Sequence, residues 1–401
     1  MIKYFNMKYL TFWLPIILSF SLSNGFSQQE NTRVKRIELT DGLNSDETKM
    51  NLSEIAGKVE YIFLETTDSC LIGNIEKVIV DDGLVFISDK KQLLIFNNSG
   101  KFLTAVGHKG RGPGEFVELE DFSVDIVTDR IFVLDRYQQK VICYTYNGKH
   151  QSEFRYKTPY PSKIAVVKNS GLMISYATPQ FIRNNNYGFA LYTFDGKFIR
   201  NCFNRQKEGA VDAMNEAGLH RLSYYCDSLT FWEINLDTIY RVSNDGVFTP
   251  RYAIDYKGYK QVENRSSLEK NNFHFAYFID TKKYLFFLRG VQNQKLKHLV
   301  YDKGKDEATN IRFNTQDSRL MFTTGFVNDI DGGYPFLPIN AQNDGRLYCT
   351  FYPYMFKELL KRDPYKGLKI LNIEQKTNFY NRISKSKVMD NPVIMLVTLK
   401  K

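Results

Sequence analysis

Five glycine turns recur along this chain: Asn98-Ser99-Gly100, Asn147-Gly148, Asp195-Gly196, Asn244-Asp245-Gly246 and Lys303-Gly304, each lying between two β-rich runs. Their glycines are 48, 48, 50 and 58 residues apart, which is the period of a four-stranded propeller blade. One such unit cannot bury both of its faces alone, so the units must stack. The pattern therefore predicts an all-β chain, a six-bladed β-propeller of four-stranded antiparallel blades. Hydrolases, lyases and pure binding proteins all use this scaffold, so the repeat predicts a shape and leaves the chemistry open.

Strand-length runs fill the period. Blade one reads as 75–80, 84–88, 93–96 and 101–106, blade two as 122–127, 131–134, 141–146 and 149–154, and blade three as 163–167, 172–176, 189–194 and 197–200. Asp-Gly and Ser-Gly at the turns supply the positive φ that tight hairpins require. Blade four is expected over 219–254, blade five over 273–313, and blade six from Tyr334 through 347–352. Blade six then lacks strands nearby. Two leftover runs, 391–400 and 59–66, are expected to complete it, so that strands from both ends close the ring and remove the open sheet edges. Short helices are expected at 355–361 and 378–387, as an insertion in that blade.

The first 27 residues stand apart. Lys3 and Lys8 precede an apolar run over 9–20 and a small polar stretch over 21–27, the layout of a secretory signal peptide with cleavage after Ser27. This leaves 28–401 as the propeller domain. The apolar run is too short for a comfortable membrane span and nothing later approaches one, so an exported protein, periplasmic or at the cell surface, is expected. Net charge is +10, spread over a large molecule with modest clusters at Lys361, Arg362, Lys366, Lys369 and at Arg382, Lys385, Lys387. A solvated face is the better reading than a nucleic-acid platform. The five cysteines, Cys70, Cys143, Cys202, Cys226 and Cys349, form no Cys-x-x-Cys pair, which speaks against metal knuckles. Only Cys202 and Cys226 merit a test for a disulfide.

At Gly107-His108-Lys109-Gly110-Arg111-Gly112-Pro113-Gly114-Glu115-Phe116 the chain resembles a family of exported six-bladed propellers common in Bacteroidetes, themselves similar to TolB-like and NHL-repeat propellers. Asp237-Thr238-Ile239-Tyr240-Arg241-Val242, Asn328-Asp329-Ile330-Asp331-Gly332-Gly333-Tyr334-Pro335-Phe336 and Asn391-Pro392-Val393-Ile394 resemble it too. The likeness spans essentially the whole mature chain and implies the same fold and export. It supplies no catalytic residues, because the family is largely of unknown function.

The glycine-rich loop at 107–116 invites a phosphate-site reading, but such a site needs a helix after it. Here another strand follows, so a structural turn is favoured, with Arg111 and Glu115 pairing across it. Asn328, Asp329 and Asp331 offer oxygens that calcium would accept, without the full Asp-x-Asp-x-Asp spacing or a distal glutamate. A hydrogen-bonded acidic turn is favoured there, and no cofactor is expected beyond that possible calcium. The five histidines make no metal pair, and no Gly-x-Ser-x-Gly elbow occurs.

Topology narrows the search further. In a propeller, the connections between blades and the loops from second to third strands emerge on one face, the usual ligand face. Candidate contacts there are His108, Arg111, Arg136, Tyr137, Arg205, His220, Arg221, Trp232, Glu233 and Arg289. The loops 204–218, 256–271 and 178–187 and the blade-six insertion are expected to crowd the same mouth. The expected function is noncatalytic recognition of a glycan, peptide or envelope protein. The alternative is an exported hydrolase or lyase assembled from several blades.

Overall fold

The computed structural model describes residues 34–176, 186–205, 220–225, 228–233, 236–255, 260–261, 272–274, 277–292, 295–311, 325–342, 344–361 and 365–400. The leader at 1–27 and Cys226 lie outside them. Blade 1 consists of Lys77–Asp81, Leu84–Ser88, Leu93–Asn97 and Phe102–Ala105. Blade 2 follows with Leu119–Asp125, Arg130–Asp135, Lys140–Thr145 and His150–Arg155, and blade 3 with Ile164–Val167, Gly171–Ser175, Tyr187–Tyr192 and Phe198–Asn204. Blade 4 holds His220–Tyr225, Ser228–Glu233, Thr238–Val242 and Phe248–Asp255. Blade 5 holds Tyr277–Asp280, Tyr284–Gln292, Lys295–Asp302 and Glu307–Asn310. Within each blade the strands pair antiparallel in chain order, so the first strand is innermost.

Blade 6 closes the ring as the leftover runs anticipate. Its order is Asn340–Ala341, Arg346–Phe351, Val393–Leu399 and, outermost, Ala56–Phe63. The C-terminal strand pairs on one side with Arg346–Phe351 and on the other with the N-terminal strand, from Ala56 opposite Leu399 to Phe63 opposite Val393.

Every strand alternates its side chains between two faces, and here both faces are covered by neighbouring blades. Six apolar clusters result, one in each wedge between successive blades. Aromatics fill them. Between blades 3 and 4, Phe189, Phe203, Phe231, Tyr240 and Phe248 meet with ring centroids 4.7 to 6.2 Å apart.

A second repeat rides on the first. In blades 1 to 4 the register between third and fourth strands slips by one residue before Phe96, Tyr144, Tyr192 and Tyr240. These aromatics recur every 48 residues. A bulge bends and twists its strand, and in these blades the hairpin turn beyond it lies against the preceding blade. The turn glycines take up that approach: Gly100 has φ +87°, and a Cβ there would fall 1.9 Å from the carbonyl oxygen of Phe63 on the preceding blade.

The chain departs from strict four-stranded blades in blades 4 and 5: in blade 5, Asn272–His274 also pairs antiparallel with Tyr284–Gln292 and carries Lys260–Gln261 parallel beside it. Lys35–Glu38 adds a fifth, parallel strand outside Phe248–Asp255 of blade 4. The segment then passes through α1 (Thr40–Asn44) and α2 (Leu52–Ile55), with the Thr48 N–H donating to Asn310 O of blade 5, and enters blade 6. It is a strap over the outer edges of three blades, and Ile37 and Leu39 are fully buried beneath it. The insertion in blade 6 carries α3 (Pro353–Leu360) and α4 (Ile373–Lys385). Among the described residues no helix is long and apolar enough to cross a membrane.

Candidate functional site

The first strands of all six blades line one cavity of about 250 Å3, which marks the ring axis. Each inner strand starts on the face where blades connect, and three of them start with charge: Glu76-Lys77, Glu120-Asp121 and Lys163 ahead of Ile164. Arg221 and Lys90 complete the charged lining, so four cations face three carboxylates.

Those carboxylates are already engaged. Asp121 is buried; its Oδ1 accepts from Lys77 Nζ at 2.8 Å and its Oδ2 from the Ile164 N–H at 3.0 Å. One side chain thus joins blades 1, 2 and 3 at the axis. Glu120 lies 3.3 Å from Arg136, and Glu76 lies 3.9 Å from Lys90. Lys163 is the exception, since its half-buried ammonium has no ion-pair or hydrogen-bond partner among the described residues. Burial lowers the proton affinity of Lys77 against the pull of Asp121, and Lys163 lowers it further. Burial likewise raises the Glu120 carboxyl. Arg221 stacks over Tyr277, with its guanidinium carbon 5.0 Å from the ring centroid. Deeper in, Gln342 Oε1 accepts from the Val80 N–H at 2.7 Å, which fixes the amide's orientation and leaves Nε2 without an acceptor.

Of the described side chains anticipated for this face, Arg221 alone lines the cavity. His108, Arg111, Arg136 and Tyr137 gather beside it on blade 2 and the linker leading into it. Arg111 lies over the exposed Tyr137 ring at 5.9 Å, and Arg136 bonds Glu118 at 2.7 Å. The expected Arg111–Glu115 pair gives way to a different one. Glu115 takes the Gly112 N–H at 2.8 Å and His108 Nε2 at 2.8 Å, which hold its carboxyl below the usual range. Its carboxylate sits where a Cβ on Gly110 would fall, 1.9 Å away. The Gly114 N–H goes to Glu153. Glu115 of the loop and Glu153 of the outer strand therefore occupy amides that a phosphate would need.

Three anticipated contacts belong to the interior. Arg205 and Glu233 are buried and pair with each other, Nε to Oε1 at 3.0 Å. Trp232 is 2% exposed, packed with Ile37 and Leu39, and donates from Nε1 to Leu236 O. The Ser228–Glu233 strand turns these side chains into wedges rather than toward the mouth. The side chains of His220 and Arg289 lie outside the described residues, as does most of the loops at 204–218, 256–271 and 178–187. No described residue of the blade-six insertion lines the cavity; α4 packs instead against Tyr61 and Phe63 at the rim.

The acidic turn before blade 6 is a seat for that insertion. Asp329 accepts from the Ser53 N–H at 2.9 Å and from its hydroxyl. Asp331 takes Tyr61 OH, the Gly333 N–H and Gln375 Nε2 at 2.9 to 3.0 Å, while burial raises its carboxyl. Every carboxylate oxygen faces a donor, which does not fit a cation. Among the described residues no group of three or more His, Cys, Asp or Glu converges on a point. Cys202 is a buried free thiol.

Sequence reasoning missed Lys77, Asp121, Lys163, Tyr277 and Gln342. The signal was positional: charge at or within two residues of the start of an inner strand, repeated in three blades.

Residues 34–398 match the model of a protein family described as Domain of unknown function (DUF4934). Among solved structures, a Bacteroides fragilis protein described as exported aligns with a TM-score of 0.67 at 18% identity, over 92% of this chain and 100% of its own. A member of the duf4221 family from Bacteroides vulgatus aligns at 0.46 and 11% identity, over 86% and 97%. A virginiamycin B lyase from Staphylococcus aureus, determined with quinupristin, aligns at 0.38 and 17% identity, over 65% and 77%. No curated protein matches the sequence.

Proposed function

We propose that this chain, which belongs to the family described as Domain of unknown function (DUF4934), is an exported, noncatalytic binding module. It recognises a glycan, peptide or envelope protein through the face where its blades connect. The observation that carries this reading is the axial cavity on that face, with Lys163, which makes no ion pair or hydrogen bond among the described residues, and the Arg221–Tyr277 stack at its wall. A cavity bearing a few convergent polar groups is the default ligand site of a rigid scaffold. Export is supported by the leader-like first 27 residues and by the description of the Bacteroides fragilis protein.

Glycan and peptide arrays probed with residues 28–401 test it. Replacing Arg111 and Tyr137 together by Ala should weaken binding of an extended partner, since both side chains are exposed beside the cavity, while the melting temperature stays unchanged. Val127→Lys, at an exposed turn on the opposite face, should leave binding intact. The reverse pattern, or turnover of any bound probe, overturns the reading.

A further inference from the structure

We propose that the axial cavity binds a carboxylate-bearing small ligand, with Lys163 as its counter-ion and Arg221 and Lys77 beside it. This rests on the binding-module reading and names the ligand class for the same site. Three observations converge. First, charge is distributed unevenly: Asp121, Glu120 and Glu76 each already hold another cation within 4 Å, while Lys163, in electrostatic reach of Glu120, lines the cavity with no ion-pair or hydrogen-bond partner of its own among the described residues. An ammonium in that position has donors to offer an incoming anion.

Second, the charge to be matched is small. One unanswered lysine asks for a single negative charge, and the lining contains no glycine whose backbone amides could form a phosphate nest. Arg221, fixed by stacking on Tyr277, adds a planar cation of the kind that suits carboxylates. Third, the cavity is small. The volume of about 250 Å3 lies below the ~300 Å3 where sites for drug-sized ligands begin, which favours a single small unit over a chain.

Acidic sugars and simple organic acids share this chemistry, and the test separates them. Isothermal titration of residues 28–401 with glucuronate, galacturonate, succinate, glucose and inorganic phosphate, at low and at moderate salt, is the experiment. At least one carboxylate should bind, more weakly as salt rises, while glucose and phosphate should not. Lys163→Met should lower that affinity about tenfold or more, equivalent to ~1.4 kcal/mol, and Lys163→Arg should restore most of it. Binding by the uronates alone assigns the site to an acidic sugar; binding by succinate as well assigns it to organic acids in general. The proposal fails if no carboxylate binds, or if Lys163→Met binds as tightly as the parent. A neutral glycan or a peptide that binds through Arg111 and Tyr137 while every carboxylate fails would overturn this inference and leave the binding-module reading standing. Failure of all probes, arrays included, would overturn both.

Discussion

Trp232 and Arg205 look, in sequence, like side chains placed for recognition, since each lies near a loop on the ligand face. Their burial gives them the opposite role. Trp232→Ala should cost about 3–5 kcal/mol, as removal of a large core aromatic does. Arg205→Ala should cost about 3–5 kcal/mol, because it removes a charged, hydrogen-bonded partner from the buried Glu233 carboxylate. Equilibrium denaturation in urea checks both; a cost below 1 kcal/mol for either would contradict the packing. Glu115 offers a pH test. The Gly112 N–H first, then His108, lower its carboxyl pKa in the fold. Its contribution is therefore complete above the unfolded carboxylate range and is lost as pH falls through the lower folded value. Protection of the Gly112 amide from hydrogen exchange, after correction for intrinsic rate, should fall in that same acidic window and should lose that pH dependence in Glu115→Gln, whose amide oxygen accepts but does not titrate there.

At the scale of elements, the turn glycines were legible and the aromatic bulge was not, although through blades 1 to 4 the aromatics recur every 48 residues and the glycines every 48 to 50. A bulge leaves no composition signal, because it is a slip in pairing between two strands that each read normally. Its aromatics do more than fill the wedge. Tyr144 donates to Gly114 O, and the Tyr192 hydroxyl accepts from the Lys157 N–H, so each pins the linker leading into its own blade. Tyr144→Phe should keep the core and loosen the 107–116 loop, seen as faster exchange at Gly112 and Glu115 with a melting temperature lowered by only a few degrees. The strap is a second element that the pattern hid, since four residues at Lys35–Glu38 are too few for alternation to register. Ile37→Ala should nevertheless cost about 2–5 kcal/mol, because Ile37 is fully buried against blades 4 and 5.

For the whole molecule, closure is the decisive feature. Val393–Leu399 is the third strand of blade 6 and the only partner in that blade for the N-terminal strand Ala56–Phe63. Truncation after Pro392 should therefore open the ring and abolish cooperative unfolding, as followed by far-ultraviolet circular dichroism and calorimetry. A truncated chain that melts like the parent would refute the closure. The number of blades, their order and the use of both chain ends were written in the sequence, because turn chemistry and the β period act locally and repeat. The motifs that resemble an exported family proved to be seats and fastenings. Asn328 to Phe336 holds the helical insertion through Tyr61, Gln375 and Tyr380, and Asn391 bonds the backbone at Glu65, Cys70 and Ile72. The binding cavity was another matter. Lys77, Asp121, Lys163, Arg221 and Gln342 span 266 positions of sequence and meet only where six inner strands converge on one axis. Local pattern decides which residues make strands; the closed ring alone decides which strand beginnings face one another, and so which charged side chains share the axial cavity.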